Sequence, residues 1–275
     1  MFEPTMVHGC SSMKEGRLPI MELFGPTIQG EGLMTGTVTH FLRTGGCSLR
    51  CTWCDSLFAV KPTLIRKHRT MMTTAEILDT IRQLPSAPYI TFTGGDPCMH
   101  KRLGEIVTTL NMMGMRVAVE TQGEIFPEWL DAVDVITFSP KGPSSGNTVD
   151  IGGLQDWLKP RSPRRPFKVC IKIVVFCDED FKYAMHVYNS LSPNHYDAFY
   201  FTAGTEMFLD QPPLDTKNIG AVQKRAWEKL NTVLNCQKAV AESLLAEAQI
   251  TKFNDKVHVG CQQHVLMWPD KGKGV

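Results

Sequence analysis

The chain is 275 residues long, 43% hydrophobic and 21% charged, with a formal net charge of +1. That is enough for one large domain with a substantial core, and it lacks the basic field of a nucleic-acid-binding surface. No apolar run approaches the roughly 20 residues that cross a bilayer, residues 1–16 lack the apolar core of a secretory signal, and the nine cysteines therefore point to a reducing cytoplasm where thiols serve metals or chemistry.

Residues 1–17 read as a polar, flexible leader and residues 18–275 as a single domain. A short strand over Ile20–Phe24 leads into Gly25-Pro-Thr-Ile28-Gln29-Gly30-Glu31-Gly32, where glycines permit close backbone approach and Gln29 and Glu31 supply polar side chains. A second strand, Thr37–Arg43, delivers Arg43 to a cysteine-rich loop. Beyond it, strands and helices alternate. Thr73 or Thr74 caps a helix that turns Ile77, Leu78, Ile81 and Leu84 to one side. Tyr89–Thr93 is a strand ending in Gly94-Gly95-Asp96-Pro97. A helix carrying Leu103, Ile106, Val107, Leu110 and Met113 is closed by Gly114. Arg116–Glu120 and Asp134–Phe138 are strands, followed by loops over 142–153 and 160–166. Lys168–Phe176 is a strand with a helix to about Ser190, Ala198–Thr202 another strand, 218–249 mostly helix, and Lys256–Val259 a last strand.

Strand–helix alternation implies a parallel sheet with right-handed crossovers, either an open doubly wound sheet or a full or partial (β/α) barrel. No G-x-G-x-x-G follows a strand, which weakens a dinucleotide-binding reading. The cysteine loop, Gly94-Gly95-Asp96-Pro97, Glu120-Thr-Gln, Ser139-Pro140-Lys141 and Thr202 all fall just past strand ends, where barrel enzymes keep their chemistry. The loop itself reads Cys47-Ser-Leu-Arg-Cys51-Thr-Trp53-Cys54-Asp55-Ser56. Its C-x3-C-x2-C spacing lacks the fourth neighbour of a local zinc site, whereas three thiolates can hold a four-iron cluster and leave one iron open. Cys10, Cys170, Cys177 and Cys236 read as packed or free thiols.

The spacing resembles that of the radical S-adenosylmethionine (SAM) enzymes. Further stretches resemble one branch of them, the 7-carboxy-7-deazaguanine synthases: Phe24–Gly32, Phe41–Cys47, Trp53–Ser56, Thr93–Pro97, Glu120–Gly123, Ser139–Ser145, Ile171–Val175 and Gln262–Trp268. The resemblance implies an incomplete (β/α) TIM-like barrel, a homodimer and a flavodoxin-like electron donor; the charge balance and the lack of a long apolar run point to no nucleic-acid or membrane partner. It implies conversion of 6-carboxy-5,6,7,8-tetrahydropterin to 7-carboxy-7-deazaguanine with loss of ammonia, started by a 5′-deoxyadenosyl radical from SAM.

Site roles follow from the same resemblance. Cys47, Cys51 and Cys54 would hold a 4Fe-4S cluster. Trp53, Cys54, Asp55, Gly94, Gly95, Ser139, Pro140, Lys141 and Thr202 would bind SAM. Ile28, Gln29, Gly30, Glu31, Arg43, Thr93, Gln262 and His264 would bind the pterin, Arg43 suiting its carboxylate and Glu31 its guanidine-like edge. Ser56 would ligate Mg2+. Asp96, Ser56 and Cys261 depart from the residues commonest in that family (Glu, Thr and Pro). The rivals are a radical SAM activating enzyme acting on a partner protein and a non-catalytic metal or electron-transfer protein.

Overall fold

Strand β1 (Leu18–Ile28) opens the chain and runs antiparallel to β2 (Val38–Thr44). The computed structural model describes residues 16–147, 150–161, 166–204 and 219–262. After β2 and the cysteine loop come two short helices, α1 (Leu57–Val60) and α2 (Pro62–His68), and the edge strand β3 (Thr70–Met72). The alternation then runs α3 (Thr74–Gln83), β4 (Tyr89–Gly94), α4 (Leu103–Met112), β5 (Arg116–Thr121), β6 (Val135–Phe138), α5 (Gly152–Leu158), β7 (Lys168–Val175), α6 (Asp178–Ser190), β8 (Ala198–Ala203), α7 (Ile219–Glu247) and β9 (Val257–Gly260).

Among the described residues, nine strands join one sheet in the order β3-β1-β2-β4-β5-β6-β7-β8-β9. The strands from β2 through β9 pair in parallel, while β1 pairs antiparallel with both β2 and β3. The parallel sheet expected from the alternation is therefore flanked by an antiparallel edge. Among the described residues no pairing joins β9 to β3, so the sheet is curled but not closed: an incomplete barrel. The curl shows in the connection after β1. Five strand spacings of about 4.8 Å separate β1 from β7 in a flat sheet, yet Glu31, three residues past the end of β1, forms an ion pair with Lys172 of β7.

The period-two alternation of the strands divides the molecule in two. One set of positions, including Leu42, Ile90, Phe92, Val119, Ile136, Ile171 and Phe201, packs with Ile77, Ile106, Leu110, Leu154 and Ala184 of the helices into the main core. The alternate set is polar over much of its length: Thr39, Thr91, Thr93, Thr137 and Lys172 are all buried, and Thr39 and Thr91 share a hydroxyl hydrogen bond of 2.9 Å. Met34, Ala118 and Val135 form a small apolar plug on this inner side, so the turn after β1 stoppers one end of the barrel and leaves the other for chemistry.

Local signals explain most elements. Thr73 caps α3 in a reciprocal capping box with Glu76, and Gly114 closes α4 at φ +74°. Met113, expected on the apolar face of α4, lies beyond its last turn and is 43% exposed. The stretch 142–153, expected to be loop throughout, contains the 3-10 turn Pro143–Ser145 and the start of α5. Two glycines open α5, so propensity works against it; burial of Leu154, Trp157 and Leu158 stabilises it instead. The stretch expected as loop over 160–166 begins with a 3-10 turn, Lys159–Arg161, and 162–165 lie outside the described residues. So do residues 1–15 of the expected leader.

Candidate active site

Just past the C-terminal ends of the strands, a cleft of about 760 Å³, counted to its open mouth, is lined by Cys47, Cys51 and Cys54. Arg43, Trp53, Asp55, Ser56, Thr93, Gly94, Gly95, Ser139 and Lys141 line the same cleft. Twelve of the residues singled out in the sequence thus converge on one space. Pro140 and Thr202 are buried at the ends of β6 and β8. Ile28 and Gly30 flank Gln29 on the β1–β2 connection, and Gln262 is half-buried past β9. His264 lies outside the described residues.

The cysteine loop is shaped by backbone packing. Gly46 donates its N–H to Ala59 O (2.8 Å) and accepts from Asp96 N (2.7 Å), while Gly95 N donates to Thr44 O (3.1 Å). Gly94 sits at φ +140°, and a Cβ there would lie 2.1 Å from Thr44 O; a Cβ on Gly95 would lie 2.1 Å from Gly46 O. Whatever else they approach, these two glycines are required to seat the segment that enters the cysteines. Asp96 does not face the cleft. Its Oδ1 accepts from Cys98 N (3.0 Å) and Thr121 Oγ1 (2.8 Å), and its fully buried carboxyl is pushed up to about 6 by desolvation.

Burial raises all three thiols above the ordinary cysteine value, Cys54 to about 11, so iron must displace their protons on binding. Among the described residues no three His, Cys, Asp or Glu side chains converge as a single metal ion requires. The thiols line one wall of the cleft instead, which suits a cluster in which each sulfur takes its own iron. Two other features fit a nucleoside-bearing cofactor: the Thr202 hydroxyl is buried with no hydrogen-bond partner, and the half-buried Lys141 lies above the Trp53 ring, its Nζ 5.8 Å from the ring centre and 2.8 Å from Ser139 Oγ. Desolvation first, and Lys172 second, hold the Lys141 ammonium below the usual lysine range.

Beside the thiols lies a polar wall that includes Glu120, Gln122 and Lys172, residues given no site role from the sequence. Glu120 accepts from Gln29 Nε2 and from Thr93 Oγ1, both at 2.9 Å, and Gln29 Oε1 accepts from Gly30 N at 2.7 Å. Lys172 pairs with Glu31. Burial pulls the Lys172 ammonium down, but the carboxylates of Glu31 and Glu120 outweigh it and hold its pKa above the ordinary lysine value. Gln122 meets Cys47 Sγ at 3.4 Å, and Asn147 meets Cys51 Sγ at 3.4 Å. The signal for Lys172 was there: one lysine at an inner position of the apolar run Lys168-Val-Cys-Ile-Lys-Ile-Val-Val175. Arg43, the register partner of Thr93 on the neighbouring strand, donates Nε to Glu22 (2.8 Å) and an Nη to Ser56 Oγ (3.3 Å).

A curled parallel sheet with three thiols on the loop after an early strand defines a radical SAM enzyme, and the Radical SAM superfamily profile matches residues 41–145. The chain is 31% identical over 257 residues to the 7-carboxy-7-deazaguanine synthase of Bacillus subtilis, covering 92% of this chain and 97% of that one. It is 37% identical over 174 residues to the synthase of the same name from Bacillus cereus, covering 62% and 71%. The crystal structure of QueE from Escherichia coli shares the fold, with a TM-score of 0.60 over 90% of this chain and 94% of that one at 19% identity. The chain belongs to the 7-carboxy-7-deazaguanine synthase family. Membership brings a 4Fe-4S cluster and SAM as its cofactors. No helix among the described residues is long and apolar enough to cross a membrane.

Proposed function

We propose that this chain converts 6-carboxy-5,6,7,8-tetrahydropterin to 7-carboxy-7-deazaguanine with loss of ammonia. The observation that carries the reading is the meeting, in one cleft, of Cys47, Cys51 and Cys54 with Arg43, Ser56 and Thr93, in a chain of the synthase family. When bound, the cluster and SAM supply one-electron, hydrogen-abstracting chemistry; the chain binds, orients and shields the reactants.

Cys47, Cys51 and Cys54 hold the cluster. Gly94, Gly95 and the backbone of Trp53, Cys54 and Asp55 lie against SAM, whose nucleoside part meets Ser139, Pro140, Lys141 and the unpartnered hydroxyl of Thr202. Arg43 binds the pterin carboxylate, oriented from behind by Glu22. Ser56 Oγ and that carboxylate are hard oxygen donors suited to Mg2+. Gln29, Glu31 and Thr93, with Ile28, Gly30, Gln262 and His264, read the ring edge. Glu120 joins them because it already orders Gln29 and Thr93, and Lys172 shares Glu31 with the incoming guanidine edge. The enzyme works in the cytoplasm as a homodimer of one-domain chains (residues 18–275), with its electron from a flavodoxin-like donor.

The test is a turnover assay. Anaerobically reconstituted protein is incubated with the carboxytetrahydropterin, SAM, Mg2+ and a reductant. The expected outcome is 7-carboxy-7-deazaguanine with SAM regenerated. A cluster that responds to SAM without forming that product rejects the substrate assignment.

A further inference from the structure

The turn after Ser139-Pro140-Lys141 clasps the cysteine loop from across the chain. Ser145 O accepts from Thr52 N (3.0 Å), Ser144 O accepts from Thr52 Oγ1 (2.7 Å), and Ser144 Oγ accepts from Trp53 Nε1 (2.8 Å). Gly146, at φ +74°, then turns the chain so that the Asn147 side chain lies over Cys51. Its amide is fixed from both ends. Oδ1 accepts from Arg50 N (3.2 Å), while Nδ2 donates to Ser145 O (3.1 Å) and to Cys51 Sγ (3.4 Å). Exchanging oxygen and nitrogen would set a carbonyl against the Ser145 carbonyl and an N–H against the Arg50 N–H. The backbone alone therefore dictates that nitrogen faces sulfur.

An N–H aimed at a thiolate draws charge from it, and it does so more strongly when the metal behind the sulfur is reduced. Hydrogen bonds to ligating sulfurs are one of the few levers a protein has on the potential of an iron–sulfur cluster. Cys47 has a different neighbour. Its Sγ faces the oxygen of Gln122, whose amide nitrogen is taken up by Ser48 Oγ and Glu124. Of these two sulfurs, that of Cys51 meets a side-chain N–H, held in place by the backbone, whereas that of Cys47 is approached by the backbone N–H of Leu49.

We propose that Asn147 is a positioning residue that donates its side-chain N–H to the iron-bound sulfur of Cys51 and raises the reduction potential of the cluster. This rests on the three-thiolate reading above and extends it to a residue outside the cysteine motif. The experiment is a potentiometric titration of reconstituted protein, followed by the electron paramagnetic resonance of the reduced cluster. Asn147→Ala is expected to keep its iron and sulfide and to titrate at a more negative potential. A tenfold loss in the preference for the reduced state corresponds to 59 mV for one electron. Thr52→Val, which removes a clasp hydrogen bond without touching a sulfur, is expected to leave the potential in place. An unmoved potential in Asn147→Ala, or an equal shift in Thr52→Val, overturns the proposal. Should Asn147→Ala lose its cluster, the wild-type protein with 15N-labelled asparagine decides: nitrogen hyperfine coupling to the reduced cluster upholds the contact and its absence overturns it. A wild-type protein that takes up no cluster instead overturns the three-thiolate reading itself, and this inference with it.

Discussion

Lys172 and Glu31 form an ion pair inside the curl of the sheet, with side chains 9% and 10% exposed. The pair ties the connection after β1 to the opposite strand β7, and so fixes the part of the inner wall on which Gln29 and Glu31 stand. Burying an ammonium is tolerable only because carboxylates surround it; here Glu31 and Glu120 do so. Lys172→Met, which keeps the volume and removes the charge, is expected to cost about 3 kcal/mol of stability, measured by urea unfolding. The same variant should raise the KM for the pterin. A variant as stable as wild type would show that the pair contributes no net stability.

The glycine pair offers a sharper geometric test. Gly94→Ala places a methyl 2.1 Å from Thr44 O at φ +140°, a conformation and a contact that alanine does not tolerate. The expected cost is about 2–4 kcal/mol, together with loss of iron after reconstitution, because the displaced segment leads directly into Cys47. Gly36→Ala is the control. Gly36 has φ +82° but no atom within 4 Å of the added methyl, so it should lose only about 1 kcal/mol and keep its iron. Equal iron content in both variants would remove the glycine pair from the support of the cysteine loop.

These contrasts mark what could be read without coordinates. The cysteines, Arg43, Thr93 and Lys141 stand at strand ends, and strand ends are legible from hydrophobic period and turn residues, so their convergence followed from the βα pattern. The main core was legible for the same reason. What stayed hidden depends on contacts between distant segments. The antiparallel pairing of β1 and β3 is set by the edge of the sheet, not by any local motif. Helix α5 forms against its own glycines because Trp157 and Leu158 have a core to enter. Asn147 touches Cys51 across 96 positions of sequence, and nothing in Ser-Gly-Asn-Thr announces a partner for a thiolate. Asp96 reads as part of a cofactor motif, yet its carboxyl turns inward to Cys98 and Thr121.

That inward turn gives Asp96 a measurable pH signature. Its folded-state pKa is raised by burial to about 6 from 3.8, so the native protein holds a proton that the unfolded chain releases over the interval between those values. Stability from this group is therefore present at the acid end and is lost as pH rises toward and through 6. Between pH 5 and pH 7 the loss is about 1.3 kcal/mol. Asp96→Asn keeps the oxygen that accepts from Cys98 N and Thr121, and it should unfold with a stability lacking this slope. Parallel stability–pH curves for the two proteins would mean that Asp96 is ionised throughout.

Arg43 carries the substrate assignment, and its neighbours allow the test to be made specific. The guanidinium is braced by Glu22 at 2.8 Å, touches Ser56 Oγ and lies 5.8 Å from the centre of the Phe58 ring, so it is held in one orientation at the wall of the cleft. Arg43→Ala is expected to raise the KM for the carboxylated pterin roughly 30-fold or more, about 2 kcal/mol of lost charge-assisted hydrogen bonding, while the cluster spectrum stays intact. Arg43→Lys should recover only part of this, because an ammonium cannot match a carboxylate with two parallel N–H donors. Glu22→Gln separates binding from bracing: the cation remains but its orientation loosens, so KM should rise by a smaller factor than in Arg43→Ala. Equal effects in Glu22→Gln and Arg43→Ala would make Arg43 a structural cation, and the pterin carboxylate would then need another partner.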